Sequence, residues 1–514
     1  MAENNESGMG TSAPGKNRMF QVADYALFAV LALLLVGLLV KAAYSVPTSA
    51  AMFAYPFQFD ESEGMIVAET MLLDRGVNIF ETPGAELFVA APYPPLFYLL
   101  TWPIQHLAGA EPTFKAGRAI TLLATLLAGV AIFGIITSMA RDRLAGALGA
   151  AAWWSLTLVT FWGSLVKPDV LALALGLMGL WWVVSRPYQQ VWVALIFFLA
   201  AFFTKQTAIA AGVAATGWLL LTRPRLGLAF GAAYGAGAAL PSLLLDLLTN
   251  GGYFYHMFTL HDLPWYGERF VKFAGNFVTT YAMLVLPGML GVLVSVGLWA
   301  GWRFRKHPQV LQAQGGLLLF FYLGMSLLSA TGTGTLGGNH NHLLEWAAAS
   351  CLGLGVGAAL TRRARSWQGR LGVAAAGLLI LTQVPSLFNT PPWLKVEFSP
   401  LTESKTEGMM NIFQYVTNNG GPAYSDNVGL MVATGKRLWS TDPFTQTHAT
   451  FFGRWDEARL VEEITHKRFS QIILRIDVFD PGELAGDVSP GILQAVRDNY
   501  RIDQRNVENI YVPR

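Results

Sequence analysis

The run Ala26–Val40, ALFAVLALLLVGLLV, holds no polar side chain and stays apolar to Ala43 apart from Lys41. A helix spans the hydrocarbon core of a bilayer with roughly 20 such residues. Comparable stretches recur near 116–139, 143–164, 168–185, 190–204, 206–222, 227–249, 276–301, 310–330, 342–361 and 370–388, giving about eleven spans. Composition agrees: 53% of the chain is hydrophobic and 13% charged, against about 25% charged in soluble domains. The first run lacks a small-residue cleavage site, so it reads as a retained span. Net charge is +2, which gives no global field for nucleic acid. The one cysteine, Cys351, lies in an apolar span and reads as packing.

Charge asymmetry orients the spans. With the N-terminus inside, the cytoplasmic side receives Lys16, Arg18, Arg141, Arg143, Arg223, Arg225 and the Arg362–Arg370 cluster. The alternation holds only if 93–109, short and carrying three prolines, lies at the membrane surface as a juxtamembrane or re-entrant helix. Concentrated polar chemistry then faces outward: FDESE at 59–63, VKPDV at 166–170, TKQT at 204–207, the aromatic segment 253–270 and GNHNHLLE at 338–345. Residues 1–19 read as a disordered cytoplasmic tail and 20–388 as the membrane domain. Residues 389–514 have soluble-domain polarity and alternate strand and helix patterns, so they read as an extracytoplasmic α/β domain. Pairs of glycines four apart, Gly231 with Gly235 and Gly353 with Gly357, read as helix-packing sites.

Asp60 and Glu61 stand just outside the first span among Phe57, Phe59 and apolar residues. Desolvation there is expected to raise the pKa of Asp60, which suits a general base near neutral pH. The competing role is an N-cap, from Asp60 or Ser62, for a helix over 63–74. Tyr93-Pro94-Pro95-Leu96 starts a helix at the interface, with Tyr93 as an aromatic anchor. Lys167 and Lys205 lie at outer span ends, with Lys115 and Arg118 on the same side; snorkelling and anion binding both fit. Lys205 fills a very short inter-span connection, which makes it the stronger phosphate candidate. His340, His342 and Glu345 could hold a divalent metal, although their spacing is not a unique metal signature. The TGTGTLGG run before them lacks a Walker ending but could present backbone N–H groups to phosphate. His261 lies among aromatics that suit either a sugar ring or the interface.

An Asp–Glu pair after the first span, a short helix ending in DRG, YPPLFYLL some thirty residues on, and the Lys-Pro-Asp start of a later span together resemble the GT-C fold glycosyltransferases. More narrowly they resemble the superfamily of dolichyl-phosphate-mannose protein mannosyltransferases and lipid A aminoarabinose transferases, over residues 20–210. The resemblance implies transfer of a sugar from a polyprenyl-phosphate donor to a glycan, lipid or protein acceptor on the outer face of a bacterial plasma membrane. It makes Asp60 the base and Asp169 a second acid; Glu61, beside Asp60, is expected to orient Asp60 or the acceptor. Lys205, Lys167, Arg118 and Lys115 are then candidates for the donor phosphate. Tyr93, His261, His340, His342 and Glu345 are candidates for acceptor or sugar. No cofactor is assigned, and a divalent metal stays open. Two departures stand out: relatives acting on lipid A have a basic residue where this chain has Tyr93, and an arginine where it has Glu63. A transporter or flippase, or a non-catalytic glycan-binding scaffold, are the alternatives.

Overall fold

A computed structural model describes residues 14–84, 86–107, 113–305, 310–364, 366–480, 482 and 486–514. The tail expected over 1–19 falls mostly outside these residues, but 14–19 are helical: α1 runs Pro14–Ala54. A proline is favoured in a first helical turn. Then come α2 (Glu61–Asp74), α3 (Leu96–Leu107), α4 (Lys115–Ala140), α5 (Arg143–Ser155), α6 (Thr157–Trp162), α7 (Asp169–Ser185) and α8 (Trp192–Thr204). They are followed by α9 (Ala210–Thr222), α10 (Pro224–Leu248), the single turn α11 (Gly252–Phe254), α12 (Gly267–Arg305), α13 (Val310–Ala330), α14 (Leu344–Arg362) and α15 (Trp367–Gln383). Seven of the described helical segments are long and apolar enough to cross a membrane, and α7, α8 and α9 are shorter apolar helices. The expected span 143–164 is divided between α5 and α6 at Leu156, whose ψ of 123° is extended.

The lipid-facing surface is inverted relative to a soluble protein. Leu33, Val36, Leu39 and Val40 of α1 and Leu123 and Leu126 of α4 are exposed, while small residues and aromatics fill the interior. This is an integral, multi-pass membrane protein. At one end, Arg141 ends α4 in a left-handed conformation (φ 47°) and Asp142 caps α5 by accepting from Ala145 N at 3.1 Å. Asp142 also receives Arg362 at 2.6 and 2.7 Å, and Arg370 pairs with Asp24. The basic turns at 141–143 and 362–370 thus meet the start of α1 at one end of the bundle, in line with the charge pattern.

α12 and α14 cross through glycines. A Cβ on Gly353 would lie 2.0 Å from the Gly288 carbonyl, and one on Gly291 would lie 2.1 Å from that of Gly353. The pair 231/235 behaves differently. Gly231 packs on Thr216, but Gly235 faces open space, so spacing alone does not mark a contact. Gly353→Val is therefore expected to cost at least about 1–3 kcal/mol through overpacking. Gly235→Val should leave the thermal unfolding midpoint in detergent unchanged, and equal effects from the two would refute this packing assignment.

The opposite end carries α16 (Pro392–Lys395), α17 (Glu403–Asn418), β1 (Ala423–Ser425), α18 (Val428–Ala433), α19 (Pro443–Phe451), α20 (Ala458–Thr465), β2 (Gln471–Leu474), α21 (Pro490–Asn499), β3 (Tyr500–Arg505) and β4 (Asn509–Pro513). The four strands form one sheet of order β1-β2-β4-β3, with β1 and β2 parallel and the other neighbours antiparallel. The sequence pattern predicts β1, β2, β4, α17, α20 and α21; α18, α19 and β3, a strand that buries only Tyr500, escape it. This unit buries Met409, Ile412, Val428, Leu430 and Met431 in one apolar cluster with Met65, Ile66 and Val67 of α2.

Candidate active site

A cavity of about 770 Å³ lies between the span ends and the C-terminal unit. Its wall includes Asp60, Glu61, Tyr93, Lys167, Lys205, His261 and His342, seven residues singled out from the sequence and far apart in it. Each is delivered by a turn with its own local logic. Asp60 is the N-cap of α2 and accepts from Ser62 N at 3.0 Å. Lys167 and Asp169 flank Pro168, where the chain turns into α7. Lys205 ends α8, and the next residue, Gln206, donates to Pro92 O at 2.9 Å, tying that turn to the Tyr93 segment. Ala91 holds a left-handed φ of 34° while its N–H donates to buried Glu69 at 2.8 Å. Glu69 also accepts from Tyr98 and Thr441, so a local strain is fixed by a network beneath the site.

Two ion pairs organise this region, and Asp169 lies behind the wall, not in it. Lys167 Nζ lies 3.0 Å from Asp60 Oδ1, and Lys205 pairs with Asp169, which also accepts from Asn341 Nδ2 at 2.8 Å. Burial pushes the Asp60 carboxyl up, but the Lys167 ammonium and the Ser62 donors outweigh it and hold the pKa below the usual carboxylate range. The expected upward shift is therefore overturned by Lys167, a counter-ion from a turn far along the chain. Burial draws the Lys167 ammonium down, yet Asp60 and Asp169 leave it raised.

Other expectations are redrawn. Glu61 lines the cavity and pairs with Arg475 of the C-terminal unit, not with a group on Asp60. Burial, with Asp442 and Asp60 nearby, lifts its carboxyl to about 7 against the pull of Arg475. Arg118 is not available to a phosphate. It is fully buried, and its guanidinium bonds Glu63 and the carbonyls of Met52, Tyr55 and Phe57. Lys115 is exposed and outside the cavity wall. His340 stacks on Trp393 at 4.1 Å between ring centroids and bonds Asn339 Oδ1, turned away from the cavity. Glu345 also lies outside the wall. Among the described residues no three His, Cys, Asp or Glu side chains converge as a metal site, so the His340, His342 and Glu345 grouping does not form one. The glycine-rich run does reach the cavity through Gly332 and Thr335–Asn339.

The C-terminal unit supplies Asp442, Arg475, Asp487 and Glu508 to the wall, none of which the motif reading found. Asp426 and Arg475 immediately follow β1 and β2, and Arg475 N donates to the Asp426 carboxylate at 3.2 Å. Ligands of parallel sheets sit beyond the carboxyl ends of the strands. Applied to the predicted strands in GPAYSDN and QIILRID, that rule finds both residues.

No protein-family model matches the chain, and no curated protein matches it in sequence. Solved structures do. The crystal structure of ArnT from Cupriavidus metallidurans in the apo state matches with a TM-score of 0.58 at 14% identity, over 92% of this chain and 97% of that one. The chain has the GT-C fold. The same ArnT bound to undecaprenyl phosphate gives a TM-score of 0.53 over the same shares of both chains, again at 14% identity. The fold resemblance expected for residues 20–210 thus extends through the later spans and the C-terminal unit.

Proposed function

We propose that the protein transfers a sugar from a polyprenyl-phosphate donor to an acceptor hydroxyl in this cavity, on the outer face of the membrane. The observation that carries this reading is that Asp60, Lys167 and Lys205 line one cavity beside the span ends, with Lys167 paired to Asp60 and Lys205 held from behind by Asp169. The GT-C fold, in which ArnT binds undecaprenyl phosphate, supports it. A sugar headgroup suits a volume of about 770 Å³, within the usual range for ligand sites.

Asp60 takes the acceptor proton as the acceptor oxygen attacks C1 of the sugar. The C1–O bond to phosphate breaks, its electron pair stays on the phosphate oxygen, and configuration inverts. The donor diester carries one negative charge and the leaving monoester two, so Lys167 and Lys205 favour the charge that develops. Donor phosphate also competes with Asp60 for Lys167. Losing that counter-ion lets the Asp60 pKa rise towards a useful base range as substrate arrives.

The test uses purified full-length protein in lipid vesicles with a radiolabelled polyprenyl-phosphate sugar and cell-envelope acceptors. Release of polyprenyl phosphate with label moving to an acceptor is expected. Donor that stays intact across a panel of hexosyl and pentosyl donors would refute the proposal. Lys205→Met should raise KM for the donor and lower kcat, since its charge serves both bound and developing phosphate.

A further inference from the structure

Glu63 has no accessible surface and no direct contact with the cavity, yet its carboxylate ties together the two loops that carry Asp60 and Lys167. One oxygen, Oε2, accepts from Phe59 N at 2.7 Å, the residue before Asp60. The other, Oε1, accepts from Val166 N at 2.8 Å, the residue before Lys167. Arg118 Nε and Nη2 complete the set at 2.9 and 3.0 Å. A carboxylate offers about four acceptor sites, and all are filled here. A glutamate at the third position of a helix ordinarily reaches back to the N-cap backbone. This one reaches a residue further, and across to a second loop. Thr121, one turn beyond Arg118 on α4, donates to Lys167 O at 3.3 Å and holds the far side of the same turn.

From this geometry, and resting on the proposed transfer reaction, we infer that Glu63 is a positioning residue that sets the separation of the Asp60–Lys167 pair. Phe59 and Val166 are held by the two oxygens of one rigid group, so neither loop moves without the other. Arg118 holds that group in place through two hydrogen bonds. The groups facing Asp60 are Lys167 from the 164–168 turn, Tyr93 from the segment before α3, Glu397 from the segment after α16 and Glu61 from its own helix. Of these, Lys167 alone is cationic, so the spacing that Glu63 fixes governs how easily Asp60 takes a proton.

The test compares Glu63→Asp and Glu63→Gln with wild type in the full-length protein. Aspartate keeps the charge opposite Arg118 but is one methylene short of spanning both loops. Glutamine keeps the length but presents an N–H to one of its donors. Each is expected to lower kcat by about 10²-fold, the cost of a misplacement of about 1 Å. The acid limb of the kcat/KM profile, which reports the free enzyme, should move to higher pH as Lys167 drifts from Asp60. A lower kcat with an unmoved acid limb would reduce Glu63 to general scaffolding and overturn the inference. So would failure of both variants to fold. Difference infrared spectra of the carboxylate, assigned with Asp60→Asn, read the same titration without turnover. A shifted Asp60 titration in protein that transfers no sugar would uphold the clamp while rejecting the transferase reading. An unshifted one in active enzyme would do the reverse.

Discussion

Replacing Asp60 by asparagine is expected to lower sugar transfer by about 10³-fold, within the range that a positioned general base contributes. The substitution separates two roles that this residue combines. Asp60 caps α2 through Ser62 N, and asparagine caps a helix about as well as aspartate. The folded protein should therefore survive with its unfolding midpoint little changed. Asparagine cannot take a proton from an acceptor, and it leaves Lys167 without its 3.0 Å partner. Donor binding should hold or improve, because Lys167 no longer shares its charge. A loss confined to kcat with KM for the donor unchanged or lower is the expected pattern. The acid dependence follows the same pair. Lys167 holds the Asp60 pKa below the usual carboxylate range, so the pair stabilises the fold at neutral pH and that contribution fades as pH falls through the depressed value. Lys167→Met removes the counter-ion and should shift the acid limb of the rate profile upward. Undiminished transfer by Asp60→Asn would sink the role assigned to this carboxylate.

The membrane class, the basic end of the bundle and the C-terminal α/β unit were legible because each rests on composition or periodicity within a short window. The apolar run of α1 and the arginines at 141, 362 and 370 declare themselves locally. The site was half legible. Asp60, Lys167 and Lys205 stand out as charges at the ends of apolar stretches, and the cavity brings them together. What could not be read was pairing. Arg118 looks from the sequence like Lys205, a cation opening a span, yet one is locked in a fully buried pair and the other lines the cavity. Choosing between them needs knowledge of Glu63, Tyr55 and Phe57 converging from another helix end, a tertiary fact. Glu61 likewise meets Arg475, a partner 414 residues away. His340 was misplaced because an imidazole in a polar loop stacks on an indole as readily as it faces a ligand, and Trp393 happens to pack there.

Arg118→Met is expected to produce the largest stability loss of any single substitution considered, about 3–5 kcal/mol, as breaking one side of a buried pair does. Methionine fills much of the same space, so the cost comes from polar groups left without partners. The guanidinium uses all five of its N–H donors: two on Glu63, two on the Met52 and Tyr55 carbonyls and one on the Phe57 carbonyl. These carbonyls close the end of α1 and the turn that follows, where helix carbonyls lack intrahelical donors. A charge pair alone would be repaired by making both partners apolar, which is often neutral. Here Glu63→Leu with Arg118→Met should stay destabilised, because the Tyr55 and Phe57 carbonyls and the Phe59 and Val166 N–H groups lose their partners, while Met52 O keeps Tyr55 N at 3.3 Å. Recovery of the double variant to near wild-type unfolding in detergent would show that charge, and not the hydrogen-bond network, is what Arg118 supplies. Arg118→Lys adds a functional arm. It keeps the charge but not the fork, so it should lower stability while leaving KM for the donor unchanged in the fraction that folds. A raised KM would return Arg118 to the phosphate site from which its burial removes it.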